Sequence, residues 1–142
     1  MIQIYDMTQR KVWDEIVRSF AEYDVYYLSG YVRAFEIHGD GEPQMFYYED
    51  NGLRGMYVYM KRKTAIEGVY DSVTPYGYGG VLFEGGSTGS PTIYAEELKA
   101  FWTAYVEKMK ELNIVDNFVR YHPVLANAVP MKEVSEVIDL GK

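Results

Sequence analysis

The chain has 142 residues, 48% of them hydrophobic and 25% charged, which suits a single folded domain and excludes wholesale disorder. Its 14 basic and 21 acidic side chains give a net charge of −7, so we predict no DNA binding, which needs a basic face. The absence of cysteine and the presence of only two histidines exclude disulfides, thiolate chemistry and three-histidine metal sites.

The N-terminal residues lack the basic and apolar regions of a signal peptide. No run approaches the roughly 20 apolar residues of a membrane-spanning helix. We therefore expect a cytoplasmic protein without membrane insertion. Tyrosine is unusually frequent, with 15 residues. Because its ring packs while its hydroxyl reaches water or a ligand, this excess predicts a half-buried sheet face or a cleft.

The first part of the chain predicts one strand and two short helices. Met1–Tyr5 alternates weakly, which indicates a first strand. Apolar residues then recur at helical spacing over residues 12–20, with Thr8 as the predicted N-cap. A second helical pattern covers residues 28–35, with Ser29 as its cap, and stops at two closely spaced glycines.

The period of the apolar pattern changes to two in the middle of the chain. Gln44–Glu49 and Leu53–Met60 are typical of strands, and the Asp50-Asn51-Gly52 sequence between them predicts a hairpin turn. Two further strands are predicted at Val69–Thr74 and Val81–Phe83. In the second hairpin strand, one predicted face carries Met56, Val58 and Met60, and the other carries Tyr57 and Tyr59.

The last third predicts a long helix followed by strands. Ser90-Pro91 is a typical helix start, and an apolar stripe continues to about Asn113. Ile114–Tyr121 indicates a buried strand and Val134–Leu140 a last one. Consecutive strands favour an antiparallel meander, and the strand–helix–strand step favours one parallel pair. We predict an α+β fold, with a mixed, mostly antiparallel sheet flanked by helices, in one domain spanning residues 1–142.

The first candidate site is the tyrosine–glycine segment, Tyr76-Gly77-Tyr78-Gly79-Gly80. Glycines at alternate positions weaken a strand, so they mark a bulge or the close approach of a ligand. Tyrosines two residues apart share a face of a regular strand, where they would offer rings for stacking and hydroxyl groups. The alternative is a bulged, tyrosine-lined bend without a ligand.

The second candidate site consists of Arg120 and His122, which point the same way in a regular strand. Arg120 could bind an anion, and His122 could exchange a proton near neutral pH. The alternative is a salt-bridged arginine and a histidine that caps the strand end. We predict that the other histidine, His38, is structural, because it precedes a glycine at a helix C-terminus.

A glycine-rich loop at residues 84–90 precedes the long helix, where backbone amides could hold a phosphate. No Walker lysine follows it and no dinucleotide fingerprint is formed. Glu84 would repel a phosphate. These features favour an ordinary connection. No nucleophile elbow for serine hydrolysis is present either.

Three segments of the chain resemble the first half of Fem-like acyltransferases, relatives of the N-acetyltransferases of the GNAT superfamily. The resemblance spans about residues 3–140, and its most specific pieces are the tyrosine–glycine segment and Arg120-Tyr121-His122-Pro123. The chain departs from the GNAT pattern in lacking the pyrophosphate motif before its long helix. The segments are Asp24–Tyr27 leading into Tyr31–Phe35, then Thr74–Gly80, then Phe118–Pro123.

The resemblance implies an N-acyltransferase, in which an amine attacks a thioester or an aminoacyl ester. It implies that residues 1–142 are a GNAT-like domain, the acceptor-side N-terminal half of a two-domain enzyme, inactive by itself. The acceptor would be a small-molecule amine, such as a cell-wall or polysaccharide precursor. The partner would be a second GNAT-like domain or a second copy of the chain. The implied substrate-binding residues are Tyr76, Tyr78, Gly79, Gly80, Arg120 and His122.

The resemblance also implies an acyl donor, acetyl-CoA or another, which we expect the full-length enzyme to bind and this chain alone not to hold tightly. No catalytic residue and no metal site are assigned. The alternative function is a non-catalytic interaction or dimerisation module with a GNAT-like fold, because a lone half exposes the face that meets its partner. A melting temperature raised by acyl-CoA favours the enzyme, and a concentration-dependent dimer without ligand response favours the module.

Overall fold

The computed structural model describes residues 1–87 and 90–140, without the side chains of residues 91–93. In these residues a six-stranded sheet carries helices on both faces, which confirms the predicted α+β class. The strands are β1 (Ile2–Tyr5), β2 (Glu42–Asp50), β3 (Leu53–Lys63), β4 (Tyr70–Val73), β5 (Leu82–Gly85) and β6 (Ile114–Phe118). The helices are α1 (Arg10–Ser19), α2 (Ser29–His38), α3 (Pro91–Glu111) and α4 (Ala128–Met131).

The sheet has the strand order β1-β2-β3-β4-β6, and β5 also pairs with β3. Neighbouring strands of the sheet are antiparallel, except that β4 and β6 run parallel to each other. The predicted parallel pair is therefore present, although β6 lies beside β4 and not beside β5, the strand that directly precedes α3. Asn51 and Gly52 have φ values of 50° and 78° at the predicted hairpin turn between β2 and β3.

The two strands β4 and β5 pair with successive parts of β3 and are separated by an outward loop. Val73 of β4 lies opposite Met60, and Leu82 of β5 lies opposite Met56. Between these two pairs, β3 has three residues, 57–59, whereas the loop that connects β4 to β5 has eight, 74–81. The tyrosine–glycine segment is the centre of this loop, so the predicted bulge exists and is larger than a single inserted residue.

The two faces of β3 carry the predicted residues, but both faces are buried, in two separate apolar cores. The tyrosines of this strand therefore do not lie on the predicted half-buried sheet face. Met56, Val58 and Met60 pack with Trp13 and Val17 of α1 in one core. Tyr57 and Tyr59 lie on the opposite face, in the core that α3 covers with Phe101 and Tyr105. The buried hydroxyls are satisfied, since Tyr57 donates to Asn117 at 2.6 Å and Tyr59 donates to Gln44 at 2.8 Å.

Both predicted helix caps are wrong. Asp6, not Thr8, accepts a backbone N–H at the first helical turn, where Met7–Gln9 form a short 3-10 turn before α1. Leu28 is the N-cap of α2, and Ser29 is its first helical residue. Asp6 lies two residues before Thr8, and aspartate is preferred to threonine as an N-cap residue.

The predicted strand at Val134–Leu140 is wrong, because these residues form no strand. Its apolar residues do not alternate regularly, and no sheet edge pairs with it. The strand predicted at Ile114–Tyr121 ends at Phe118, and only Ile114 within it is buried. The predicted ends of two helices hold: α2 stops at His38 before Gly39 with φ 100°, and α3 stops two residues before Asn113.

Candidate functional site

The tyrosine–glycine segment packs on the aromatic side chains of α2 and of a 3-10 turn, Val25–Tyr27, that precedes α2. The ring of Tyr76 stacks on Phe35 at 5.8 Å between centroids, and the hydroxyl of Tyr31 donates to the Tyr76 carbonyl. A Cβ on Gly77 would lie 2.4 Å from the ring of Tyr26, so only glycine allows this approach. The predicted tyrosine surface is therefore built partly by residues from another element.

The end of the segment is buried and held by side-chain hydrogen bonds. The amide nitrogen of Asn127 donates to the carbonyl of Gly79 at 2.8 Å, and its oxygen accepts the backbone N–H of His122 at 2.8 Å. The hydroxyl of Tyr27 donates to the carbonyl of Gly80 at 3.0 Å. Burial raises the pKa of that hydroxyl well above its usual range. Tyr27 is therefore a structural donor.

His122 is buried, and both of its ring nitrogens have partners in the protein. Nε2 lies 2.8 Å from the carboxylate of Asp24, and Nδ1 accepts the backbone N–H of Leu125 at 3.3 Å. The hydrogen bond from His122 is the main reason why the pKa of Asp24 is lowered. The rings of Tyr26 and Tyr78 lie at 5.9 and 5.6 Å. This arrangement favours the structural interpretation of His122 over acid–base chemistry.

An open cleft of about 920 Å³ lies beside the tyrosine–glycine segment. Val73 and Phe118, the last residues of the parallel strands β4 and β6, both line it, and residues 39–42 after α2 form the facing wall. Tyr76, with 74% of its surface exposed, and Arg120 also line it. The cleft therefore sits at the carboxyl ends of two parallel strands, where ligands bind in many α/β sheets.

The charges around the cleft are unevenly paired. Arg62 binds the carboxylate of Asp71 through two hydrogen bonds of 2.8 and 3.0 Å. Within residues 1–87 and 90–140, three other cations of the lining, Lys61, Lys63 and Arg120, have no carboxylate within 4.0 Å. The ammonium of Lys61 lies over an aromatic ring. Lys63 and Arg120 are available to an anionic group, and guanidinium is the better match for a carboxylate or a phosphate.

Glu36 contributes a carboxylate to the wall of the same cleft. One of its oxygens accepts a hydrogen bond from Arg33, whereas the other, Oε2, is buried and has no partner among the described residues. An unpartnered buried oxygen of this kind is costly, so it marks a place where a donor would be stabilising. An ammonium or amide group is such a donor.

The structure divides the six predicted site residues into two groups. The first group lines the cleft and consists of Tyr76 and Arg120. The second group lies outside the cleft lining, in or beside the hydrogen-bonded cluster around His122, and consists of Tyr78, Gly79, Gly80 and His122.

Three residues of this region were missed by sequence reasoning: Asp24, Glu36 and Asn127. Asp24 could have been found, because an aspartate before a short helical turn is a typical N-cap, and its carboxylate does accept the N–H of Val25. Glu36 and Asn127 belong to no recognisable motif. Only the packing of the chain brings them to the site.

The glycine-rich loop before α3 does not fit a donor diphosphate. The carboxylate of Glu97 accepts two hydrogen bonds from Ser87, one from its backbone N–H at 2.8 Å and one from its side-chain hydroxyl at 2.9 Å. Glu84 at the start of the loop binds Arg54. A diphosphate here would face the Glu97 carboxylate, so the favoured interpretation as a connection is supported. Residues 88 and 89 of this loop lie outside the described residues.

Within residues 1–87 and 90–140, none of the helices combines the length and apolarity needed to cross a membrane. Comparison of the chain with protein-family models, with curated proteins and with solved structures finds no match. The functional assignment therefore depends on the geometry of the chain itself.

Proposed function

We propose that this chain binds the amine acceptor of an N-acyl transfer in the cleft at the ends of β4 and β6, as the acceptor-side half of a Fem-like acyltransferase. The observation that carries the proposal is the convergence of Tyr76 and Arg120 on this cleft. These residues come from two of the segments that resemble the family, and they are separated by 44 positions in the sequence. The proposal places the chain in the cytoplasm.

The size and chemistry of the cleft support a small-molecule ligand. Its volume of about 920 Å³ lies within the range of about 300–1,000 Å³ that is usual for ligand sites. The exposed ring of Tyr76 offers a stacking surface, and Arg120 offers two parallel donors to a carboxylate. A ligand with an apolar middle and an anionic end matches these two side chains.

Glu36 supports an amine as the third part of that ligand. Its unpartnered carboxylate oxygen would accept a hydrogen bond from an ammonium group, and rotation of the carboxyl about its last torsion can turn an oxygen toward the cleft. In acyl transfer the amine nitrogen bonds to the acyl carbon, the donor's thioester or ester bond breaks, and the amine loses a proton to a base. Glu36 is the candidate for holding the amine in this reaction.

The order of elements also supports the family proposal. One strand, two helices, a run of antiparallel strands, a long helix and a strand parallel to β4 follow one another. This order agrees with the fold that the resemblance implies. Because the loop before α3 does not fit a diphosphate, the proposal assigns the acyl donor to the second GNAT-like domain.

Titration calorimetry with two matched peptides tests the proposal. The first is a muramyl pentapeptide with a free lysine amine, and the second is the same peptide with that amine acetylated. We expect the free-amine peptide to bind at least about tenfold more tightly than the acetylated one. This difference corresponds to the free energy of one charge-assisted hydrogen bond. Glu36→Gln should remove this preference, whereas Glu15→Gln, an exposed glutamate on α1, should keep it.

Equal binding of both peptides, or binding of neither, would show that the cleft is not an amine site.

Mass spectrometry of the free-amine peptide after incubation with acetyl-CoA tests whether the chain alone can transfer an acyl group. We expect no acetylation by the chain alone. Turnover by the chain alone would instead indicate a small stand-alone acetyltransferase.

A further inference from the structure

The strand β6 forms one border of the sheet. β4 pairs with one of its sides, and within residues 1–87 and 90–140 no strand pairs with the other. Such a border offers backbone groups to a strand from another polypeptide. The N–H of Asn117 donates to the carboxylate of Asp116 at 2.8 Å, so an added strand would have to replace that one bond. The segment at residues 134–140, which was predicted to be a strand, does not pair with β6.

The exposure of β6 is unusual for a strand with a parallel neighbour. Parallel strands are normally buried on both faces, because helices cover them. Here Val115 is 70% exposed and Phe118 is 59% exposed. Phe118 lines the cleft, and Val115 lines a groove on the α3 side. Both faces of the border strand therefore present an apolar side chain to solvent.

The groove beside Val115 extends the apolar surface away from the border. It has a volume of about 560 Å³ and runs between β6 and α3, where Trp102, Val106 and Met109 line it. Apolar side chains of an added strand would be buried in this groove on one side and against Phe118 on the other. Exposed apolar surface next to an unpaired strand is typical of an interaction site.

The charge on the border selects the kind of strand that fits. Asp116, in the middle of β6, is exposed and lies in register with Asp71 of β4. Arg62 pairs with Asp71, whereas Asp116 has no basic group within 4.0 Å in the part of the chain that the structure describes, although Lys110 lines the same groove. A basic side chain on the incoming strand would compensate the charge of Asp116.

The same charge argues against a second copy of this chain as the occupant. An antiparallel two-fold pair centred on Asp116 would place this carboxylate opposite its own copy, and like charges directly opposite destabilise a strand pair. Each copy also carries a net charge of −7, which adds long-range repulsion.

We propose that β6 is a docking edge that takes a β-strand of a different polypeptide, with a basic side chain opposite Asp116 and apolar side chains on both faces. The added strand extends the sheet through main-chain hydrogen bonds, while the groove and Phe118 bury its apolar side chains. This surface shares Phe118 with the cleft, whereas Val115, Asp116 and the groove lie outside the cleft lining.

Three synthetic heptapeptides test this proposal by fluorescence anisotropy. One has a single lysine at its centre between valine and threonine residues, so that both faces carry apolar side chains. The second replaces the lysine by glutamate, and the third is the lysine peptide with alternate backbone nitrogens methylated. We expect the lysine peptide to bind at least about tenfold more tightly than either of the others. Since the methylated peptide has the same charge, equal binding by it would reduce the effect to non-specific attraction and overturn the proposal.

Hydrogen exchange and two variants locate the binding. The lysine peptide should slow exchange of the β6 amides, and protection elsewhere without protection of β6 would overturn the assignment. Asp116→Lys should reverse the preference between the lysine and glutamate peptides. Asp116→Asn keeps an acceptor for the backbone N–H of Asn117, so the variant should fold, and it should weaken the preference without reversing it. A changed preference in this variant is therefore not caused by misfolding. Preferences unchanged in both variants would overturn the role of Asp116.

Tyr76→Ala separates this proposal from the amine site. It should weaken binding of the free-amine muramyl peptide and leave binding of the lysine heptapeptide unchanged, because Tyr76 lines the cleft and not the groove. Sedimentation of the free chain gives the final test. A concentration-dependent dimer that blocks the lysine peptide would identify the occupant as a second copy and overturn the proposal.

Discussion

The two sequence segments that meet beside β4 and β6 each divide into an open part and an anchored part. In the open part, Tyr76 and Arg120 face a solvent-filled cleft. In the anchored part, Gly80 and His122 are buried and bound by Asn127, Tyr27 and Asp24. Residues two to four positions apart therefore have different roles, one group shaping the surface and the other holding it in place.

This difference has a physical reason. A loop that projects from a sheet loses the hydrogen bonds of the ladder, so its buried carbonyls need other donors. Asn127 and Tyr27 supply them. With the carbonyls satisfied, the exposed side chains of the same loop can remain unpartnered. Substitutions in the anchored part should therefore change stability, and substitutions in the open part should change ligand binding.

The largest effect is expected for Gly80→Ala in the anchored part. Gly80 has a φ of 96°, and a Cβ there would lie 2.6 Å from the ring of Tyr121 and 2.8 Å from the amide of Asn127. Strain and overpacking together should lower the free energy of unfolding by about 4 kcal/mol, measured by urea denaturation. The control is Gly30→Ala on α2, which meets no atom within 4 Å and should not destabilise the protein.

Asn127→Ala should have the next largest effect. It leaves the N–H of His122 and the carbonyl of Gly79 without their buried partner, so we expect a loss of about 3 kcal/mol in the free energy of unfolding. Tyr27→Phe removes one hydroxyl donor and should cost about 1 kcal/mol. An Asn127→Ala protein as stable as the wild type would remove the distinction between the two parts.

Arg120→Ala should act on the open part alone. Loss of the guanidinium should weaken binding of the free-amine muramyl peptide by about tenfold, with a change in unfolding free energy below about 0.5 kcal/mol. Titration calorimetry and urea denaturation measure the two quantities. Arg18→Ala, an exposed arginine on α1, should change neither.

Tyr78 tests how sharply the two parts are separated. If it touches the acceptor, as its sequence position suggests, Tyr78→Phe should raise the acceptor KM of the two-domain enzyme that we propose. Its place beside His122 and outside the cleft lining instead leads us to expect a smaller rise than for Arg120→Ala. Unchanged kinetics in both variants would remove both residues from the site.

The smallest effect concerns the pH dependence that Asp24 gives to the anchored part. His122 lowers the pKa of Asp24 in the folded state below its ordinary value of 3.8. The resulting stabilisation is present above that value and is lost as the pH falls through the folded-state pKa. Wild type should therefore lose more stability than Asp24→Asn between pH 5 and pH 2 in urea titrations. Parallel curves for the two proteins would contradict this role of Asp24.

Much of the fold could be predicted because the signals are local. The alternation of methionine and tyrosine in β3 assigns each side chain to one of two cores, and the structure confirms both. Gly39 and Asn51-Gly52 end a helix and turn a hairpin because they adopt positive φ values. The strand predicted at residues 134–140 is wrong, since a strand also needs a neighbour, and no local pattern reports whether one is present.

The sequence by itself determined the α+β class, the order of most elements and the position of the tyrosine–glycine bulge, because periodicity and turn residues act over a few neighbours. The tertiary structure alone decided which residues became a site. It placed β6 beside β4, brought Asn127 to Gly79 and Asp24 to His122, and left Tyr76, Arg120 and Glu36 around one cleft. The residues brought together in this way lie from 40 to 98 positions apart, and only the packing of the whole chain sets such separations.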